Sequence, residues 1–355
     1  MAQSVGEILA AAKKERASDV LIAVGIPPKM RINGDLRTMR GERMQPADTM
    51  EMAIHIMNDK QKQYFEEHGE VEFSLEILGG GRGRANVYKQ KGSIALAFRL
   101  VDAAVPSLEQ LGMPEIIARL CGRRSGLILV TGPAGSGKSA TLAAMIDRIN
   151  SDREAHILTL EEPIEYFHQH KQSVVTQREI GVDSISYQSA LKAARHENPD
   201  VLLIDALRDI ETLDAAVEAA EAGRLVLSAL ETVGAANTVE RMIEMVLPYQ
   251  QHPLRMQLAN VLAAVISQQL VPAADGKERI AALEIMYANA AVRKVIREGK
   301  PALLAGVIQA GRKSGMITMD ESLLGLVREN RITRQTAVAY AQEPELMSAK
   351  FTKRE

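Results

Sequence analysis

The pattern of hydrophobic and polar positions over residues 1–100 mixes helical and strand periods. A Ser4-x-x-Glu7 capping box, followed by apolar residues at helical spacing, predicts an amphipathic helix at the start of the chain, and a longer helix is predicted over 47–67. Strict alternation of apolar and polar residues predicts a half-buried strand over 71–77. Further strands are predicted at 19–24, 84–90 and 93–100, with turns at Asn33-Gly34 and at the triple glycine 79–81. This mixture predicts a small α+β domain.

The pattern changes after 101–114, a segment with two prolines and a glycine that we interpret as a linker. Short apolar runs then alternate with helical stretches, which is typical of βαβ units whose parallel strands are buried on both faces. These runs are 127–130, 157–160, 201–204 and 225–227. We therefore predict an α/β domain over 115–355. From about Pro248 it is mostly helical, apart from a hairpin around Asp275-Gly276, with a helical C-terminal subregion from about residue 286.

Composition and charge narrow the possible functions. The chain has 43 Lys and Arg against 45 Asp and Glu, a net charge of −2, which argues against a dedicated nucleic-acid binder. Its one cysteine, Cys121, provides neither an internal disulfide nor a four-cysteine zinc site. No apolar run reaches the roughly 18 residues that span a bilayer, and no signal peptide is recognisable. We expect a cytoplasmic protein without direct membrane insertion.

A phosphate-binding motif follows the first apolar run of the second domain. It reads Gly132-Pro133-Ala134-Gly135-Ser136-Gly137-Lys138-Ser139, then Ala140, and it matches G-x-x-x-x-G-K-[ST] between a predicted strand and a predicted helix. In such a loop, backbone N–H groups and the helix N-terminus bind phosphate oxygens. Lys138 would contact the β- and γ-phosphates, and the Ser139 hydroxyl would bind Mg²⁺. The motif predicts a site for ATP and Mg²⁺.

Acidic residues follow two other apolar runs, where open α/β sheets bind ligands. Glu161 and Glu162 come after 157–160, and we assign Glu161 as the base that activates water, with Glu162 as a candidate metal ligand. Asp205 ends the run 201–204 in a Walker B pattern and would bind Mg²⁺ and assist catalysis. The alternative interpretation is that these are solvated loop carboxylates, since any buried strand can end in an acid.

With these residues, the chain resembles the type IV pilus retraction ATPases, the PilT/PilU branch of the secretion-ATPase superfamily. Segments 165–170 and 345–347 are more similar to the accessory PilU proteins than to PilT. The absence of paired CxxC motifs also favours the retraction branch. Besides the phosphate-binding loop, the resemblance rests on Ala17-Ser18-Asp19, Gly25-Ile26-Pro27-Pro28, 157–165, Thr176-Gln177-Arg178-Glu179, Pro199-Asp200 and 291–298.

The resemblance implies a PAS-like N-terminal domain, a RecA-like ATPase domain and a homohexamer that binds ATP between domains. It implies a cytoplasmic motor for pilus retraction and twitching motility, peripheral at the inner-membrane pilus base. The implied partners are a PilT-type ATPase and an inner-membrane platform protein, without nucleic acid. Arg84 and Arg99 match positions that supply cations to the nucleotide, although they are equally well explained as solvated edge-strand charges. Arg208, just after the Walker B strand, is a further candidate catalytic residue.

The chain also departs from the family pattern at five positions, of which Glu162, in place of the aspartate of the acidic box, is the mildest change. Ala206 stands where the family usually has the Walker B glutamate, Arg224 and Glu231 replace the two histidines of the His box, and Ala140 replaces a threonine. Two hypotheses remain open: a motor that hydrolyses ATP, and an ATP-binding paralog that regulates or scaffolds an active motor. A RecA-like nucleic-acid motor is a third hypothesis, disfavoured by the near-neutral charge and the absence of tryptophan.

Overall fold

The computed structural model describes residues 4–15, 17–32, 35–77, 82–100 and 105–352, with the backbone alone at 76 and 82. The chain forms two compact units. One contains Met1–Ala104 with Glu165–Phe167, and the other contains Val105–Ile164 with His168–Glu355. No helix in the described part of the chain is long and apolar enough to cross a membrane.

The first unit is an antiparallel sheet with three helices. Its sheet has the strand order β3-β2-β1-β6-β5-β4. Ile8 and Leu9 of the first helix pack with Phe98 of the last strand in its core. The helices are α1 (Val5–Lys14), α2 (Pro46–Ile56) and α3 (Asp59–His68), and the strands are β1 (Asp19–Ile22), β2 (Lys29–Ile32), β3 (Asp35–Thr38), β4 (Glu70–Glu76), β5 (Arg82–Gln90) and β6 (Ser93–Leu100).

The α+β composition predicted for this unit agrees with the structure, but the single helix over 47–67 is wrong. Asn58 interrupts it, because its side chain accepts the Gln61 N–H at 2.9 Å while Gln61 accepts the Asn58 N–H at 2.8 Å. This reciprocal capping box starts α3 as a separate helix. The capping box at Ser4 and Glu7 is confirmed. The predicted turns at Asn33-Gly34 and at 79–81 lie outside the described residues.

The second unit is a seven-stranded sheet in the order β13-β12-β7-β11-β10-β8-β9. Its strands are β7 (Gly126–Thr131), β8 (His156–Glu161), β9 (Val174–Glu179), β10 (Val201–Ile204), β11 (Leu225–Leu230), β12 (Leu262–Pro272) and β13 (Arg279–Tyr287). Its helices are α4 (Glu115–Cys121), α5 (Lys138–Asp152), α6 (Tyr187–Glu197), α7 (Ile210–Glu221), α8 (Ala235–Glu244), α9 (Pro248–Val261), α10 (Ala290–Arg297), α11 (Leu304–Ala310), α12 (Met319–Arg328), α13 (Arg334–Tyr340) and α14 (Pro344–Thr352).

Both faces of this sheet are buried, as the apolar runs predicted. Leu127 and Leu129 of β7 pack in one core cluster, with helices that include α7 and α9. Ile128 and Val130 pack in a second cluster, with α4 and α5. Six strands are mutually parallel, and only β13 is antiparallel to its neighbour β12. The predicted parallel sheet is therefore confirmed.

Sequence periodicity missed two strand segments. The strand β9 has polar residues over most of its length and lies at the sheet edge, so no apolar run marks it. The first half of β12 follows α9 without a break and lies within the region that the sequence predicts to be mostly helical. An apolar run directly after a helix fits either structure by periodicity alone. The hairpin around Asp275-Gly276 is confirmed, and the helical subregion begins at Ala290, close to the predicted position.

The sheet register places three chain segments with candidate chemistry beside one another. Leu230 pairs with Thr131, and Ile204 pairs with both Ser228 and Leu160. The strands β7, β10 and β8 therefore end at the same edge, where the phosphate-binding motif, Asp205 and Glu161 follow them. Ligands of open α/β sheets bind at this carboxyl edge.

Candidate functional site

The phosphate-binding loop connects β7 to α5, and its glycines have a steric reason. Gly132, Gly135 and Gly137 have φ angles of 147°, 73° and 88°. A Cβ atom on Gly132 would lie 2.1 Å from the Gln268 carbonyl oxygen, whereas one on Gly135 would meet nothing within 4 Å. Gly132 is therefore required by the close approach of β12, and Gly135 by its left-handed backbone conformation.

The donors of the loop fit a phosphate chain. The Lys138 Nζ donates to the Gly132 and Pro133 carbonyl oxygens at 2.9 and 3.0 Å, so it folds back over the loop. The Ser136 hydroxyl is buried and has no hydrogen-bond partner among the described residues. Helix α5 has no acidic residue in its first turn, where Ser139 and Ala140 lie. Free helix N–H groups, an ammonium and an unpaired hydroxyl are the donors that phosphate oxygens need.

The acidic candidates meet around Arg208. Its guanidinium contacts the Glu162 carboxylate at 2.5 Å and the Asp205 carboxylate at 3.6 Å. It also lies over the ring of Tyr187, 5.6 Å from the ring centre. The structure thus brings together three residues that the sequence assigned to the site, Glu162, Asp205 and Arg208, and it adds a tyrosine.

Glu161 is held by two neighbours that the sequence did not identify. The Thr159 hydroxyl donates to Glu161 Oε1 at 2.6 Å, and the Gln177 side-chain amide donates to the same oxygen at 3.1 Å. The Gln177 Oε1 in turn accepts the His168 backbone N–H at 2.8 Å. These bonds fix the orientation of the carboxylate, as a positioned base requires.

Tyr187 is a further residue that sequence reasoning missed. Its hydroxyl is buried and has no hydrogen-bond partner in the described part of the chain. Burial, with the nearby Asp205 carboxylate, raises the pKa of Tyr187 well above its ordinary value, so the ring stays neutral and keeps its O–H donor. Tyr187 begins α6, and nothing in the sequence placed it beside Asp205.

A third unpredicted contact comes from β12. The Gln268 side chain reaches the backbone of the phosphate-binding loop at Ser136 and the side chain of Thr141 in α5. The only sequence signal was a polar stretch, Ser267-Gln268-Gln269, inside an otherwise apolar strand.

Only a few side chains near the phosphate-binding loop are candidates to bind Mg²⁺. The described residues contain no group of three or more His, Cys, Asp or Glu side chains that holds a metal ion. Mg²⁺ commonly takes one or two carboxylates, with the remaining ligands from phosphates and water. Ser139, Asp205 and Glu162 fit such a set in their chemistry, but Arg208 occupies both carboxylates in this structure.

Arg84 and Arg99 lie in the first unit and form part of a charged row. The sheet register pairs Arg84 with Arg99, Arg99 with Asp19, and Asp19 with Arg31. Asp19 contacts both Arg99 at 3.4 Å and Arg31 at 3.6 Å, while Arg84 contacts Glu72 at 2.8 Å. Arg99 remains 76% exposed. Three arginines thus share one face of the sheet, and their contact with a nucleotide remains a prediction.

His168 is buried against α5 with its side chain only 2% exposed. Its Nδ1 lies 3.9 Å from the Asp147 carboxylate, which Lys171 binds at 2.7 Å. Burial lowers the pKa of His168 to about 4, because it penalises the charged ring more than Asp147 stabilises it. The imidazole is therefore neutral at physiological pH.

This burial predicts an acid sensitivity of folding. Between pH 6.5 and 4 His168 binds a proton in the unfolded chain but not in the folded chain. The free energy of unfolding therefore falls as the pH falls. By pH 5 the loss is roughly 2 kcal/mol, at 1.4 kcal/mol per pH unit. Urea unfolding of His168→Gln at pH 7 and pH 5 should lack this loss. The exposed His196→Gln variant is the control and should behave as the natural chain does; equal pH dependence of all three chains would contradict the assignment.

Comparisons with known proteins match nearly the whole chain to one family. The family model "Type II/IV secretion system protein" matches residues 2–350. The type IV pilus retraction ATPase PilT of Pseudomonas aeruginosa is 40% identical over 341 residues, covering 96% of this chain and 99% of that protein. The type IV pilus ATPase PilU of the same organism is 37% identical over 325 residues, covering 91% of this chain and 85% of that protein.

The structural comparison agrees. A crystal structure of the pilus retraction motor PilT with bound ADP superposes with a TM-score of 0.91 at 40% identity, covering 98% of this chain and 99% of that one. The predicted fold class, an α/β fold with a parallel sheet and a helical C-terminal region, is confirmed. The greater similarity to PilU that segments 165–170 and 345–347 indicate stays a prediction.

Proposed function

The chain belongs to the type II/IV secretion system protein family and, within it, to the PilT/PilU type IV pilus ATPases, and from this membership we propose that it couples ATP binding and hydrolysis to pilus retraction. The observation that carries the proposal is the phosphate-binding loop at the carboxyl edge of the parallel sheet, beside Glu161 and Asp205. The relative with the same fold holds ADP.

In this proposal the loop binds the nucleotide by exchanging internal contacts for phosphate contacts. Lys138 leaves the Gly132 and Pro133 carbonyls and pairs with the β- and γ-phosphates, and the α5 N-terminus supplies backbone donors. Ser139, Asp205 and Glu162 are the residues that would hold Mg²⁺, which supplies charge neutralisation at the phosphates when bound. Glu161, oriented by Thr159 and Gln177, positions the attacking water.

This site has two proposed sources of positive charge. One is Arg208, and the other is the pair Arg84 and Arg99 in the charged row of the first unit. Arg208 pairs with Glu162 and Asp205 in this structure, and we propose that it turns from these carboxylates to the γ-phosphate when the nucleotide site is filled. Arg84 and Arg99 are proposed to supply further cations in a homohexamer. An exposed guanidinium forms bidentate contacts with phosphate oxygens. The proposed partners are a PilT-type ATPase and an inner-membrane platform protein at the cytoplasmic side of the pilus base.

A second candidate function is that of an ATP-binding subunit that regulates an active motor. It is favoured by Ala206, which follows Asp205 at the end of β10 and offers no carboxylate, and by Glu231 at the end of β11. Losing one such contact costs roughly 10²- to 10³-fold in rate, so a chain lacking several would turn over slowly.

Glu161→Gln separates the two functions. We expect this variant to bind ATP with unchanged affinity but to lose the remaining hydrolysis, because the carboxylate acts in the chemical step more than in ground-state binding. Steady-state hydrolysis is measured for the chain alone and with a PilT-type partner. Twitching is measured in a host that keeps its PilT-type partner and whose only copy of the present chain is the variant. A motor loses twitching with Glu161→Gln, whereas a regulatory subunit keeps it. Absence of ATP binding by the natural chain would contradict both functions.

A further inference from the structure

One buried amide connects the central sheet to the phosphate-binding loop. The Gln268 Nε2 donates to the Ser136 carbonyl oxygen at 2.8 Å, and the Gln268 Oε1 accepts the Thr141 hydroxyl at 2.8 Å. Gln268 is 2% exposed and Thr141 is fully buried. The two ends of this side chain therefore bind the loop and the first turn of α5 at the same time.

The backbone of β12 also lies close to the loop. A Cβ atom on Gly132 would clash with the Gln268 carbonyl oxygen, and one on Gly137 would lie 2.9 Å from the Gln268 Nε2. The cause is the parallel pairing of β12 with β7, which places Ser267 opposite Thr131. Gln268 is thus the first residue beyond the paired end of β7, at the level where the loop begins.

The same strand also fixes the loop that follows β11. The Ser267 hydroxyl accepts the Gly234 N–H at 2.8 Å. Glu284, opposite Ser267 on β13, accepts the Ala235 N–H at 2.7 Å. Burial raises the pKa of Glu284, although the N–H groups of Ala235 and Met319, which donate to its carboxylate, oppose the shift. The polar residues of β12 and β13 therefore hold two loops at the carboxyl edge, although their strands are otherwise apolar.

From this geometry we propose that Gln268 is a positioning residue of the nucleotide site: it fixes the loop on α5 so that the backbone donors converge on the phosphates. This inference rests on the proposed ATP site. Without the amide, the buried Ser136 carbonyl and the Thr141 hydroxyl both lose their partner, and an unpaired buried polar group is costly. The loop then avoids the cost by leaving the binding conformation, because the glycines at 132, 135 and 137 give its backbone alternative conformations.

The test is the ATP dissociation constant of Gln268→Met, measured by calorimetry on the full chain with Mg²⁺. Methionine keeps the length and volume of the side chain without its hydrogen bonds. We expect the dissociation constant to rise roughly 10- to 100-fold. Gln269→Met is the matched control, since the neighbouring side chain points to the opposite face of the sheet, and it should bind ATP as the natural chain does.

A second pair of variants tests the other end of the amide. Thr141→Val removes the hydroxyl at nearly constant shape and should weaken ATP binding, whereas Thr141→Ser keeps the donor and should restore it. A purely structural role of Gln268 would lower the melting temperature without ligand and leave the dissociation constant unchanged. ATP affinity within twofold of the natural chain in folded Gln268→Met overturns the inference. If Gln268→Met does not fold, Thr141→Val against Thr141→Ser decides. Failure of the natural chain to bind ATP would instead reject the proposed function.

Discussion

Replacing Lys138 with alanine is expected to raise the dissociation constant for ATP by at least about 100-fold, since a charge-assisted contact with a desolvated anion is worth several kcal/mol. In the structure the Lys138 ammonium covers the carbonyl oxygens of Gly132 and Pro133. Alanine removes the main cation from the phosphate site and exposes these two carbonyls, whose partial negative charge repels phosphate. Titration with ATP and Mg²⁺, followed by calorimetry, measures the effect.

Lys171→Ala is the matched control for this change. Lys171 binds the carboxylate of Asp147 at 2.7 Å. Asp147 lies on the third turn of α5, the helix that begins with Lys138, so this ion pair is away from the loop. Its loss changes the net charge equally but should leave ATP affinity unchanged. An unaltered affinity in Lys138→Ala, or an equal loss in Lys171→Ala, would show that the loop is not the phosphate site.

The loop and the strands around it were predictable because their signals are local. The motif at 132–139 has a fixed spacing, and an apolar run such as 201–204 cannot avoid burial on both faces of a sheet. The parallel order then brings Asp205 and Glu161 to the loop without further information. This part of the site follows from spacing and burial alone.

The residues that orient the site were not predictable in this way. Gln268 meets Ser136 and Thr141 across 132 and 127 positions of the chain, and Gln177 meets Glu161 across 16. Periodicity describes which face of an element is apolar, but it contains no information about which distant side chain a polar residue faces. Gln268 and Gln177 became visible only when the register of β12 and β9 was known.

The family resemblance anticipated Arg208 but not its contacts. By sequence it was a candidate catalytic residue, whereas in the structure it pairs with Glu162 and Asp205 and packs on Tyr187. An arginine that neutralises two carboxylates competes with a divalent cation for them. We therefore propose that the acids at this edge decide how readily the site binds metal, and the family resemblance implies a further acid at the position of Ala206.

Ala206→Glu is expected to raise kcat by roughly ten- to a thousand-fold, the reverse of losing one transition-state contact. Ala206 is half-buried at the end of β10. The Asp205 N–H bonds to Leu160 of β8, whereas the Leu207 N–H bonds to Ala229 of β11. Residues two apart on a regular strand bond to the same neighbour, so the backbone leaves strand geometry here and the two side chains need not point to opposite faces. We therefore expect a glutamate at 206 to add a carboxylate near Asp205, which Arg208 contacts at 3.6 Å.

Steady-state phosphate release measures the gain, and Ala206→Gln is the control. Glutamine has the same size without the charge, so it should leave kcat low if the carboxylate is what the natural chain lacks. The added charge lies beside Asp205, and like-charge repulsion makes the gain dependent on Mg²⁺. We therefore expect Ala206→Glu to have a higher kcat than Ala206→Gln at saturating Mg²⁺, and the two kcat values to become equal as Mg²⁺ is removed. If the natural chain turns over ATP quickly and Ala206→Glu slows it, Asp205 already acts as the Walker B acid, and the regulatory function loses its main support.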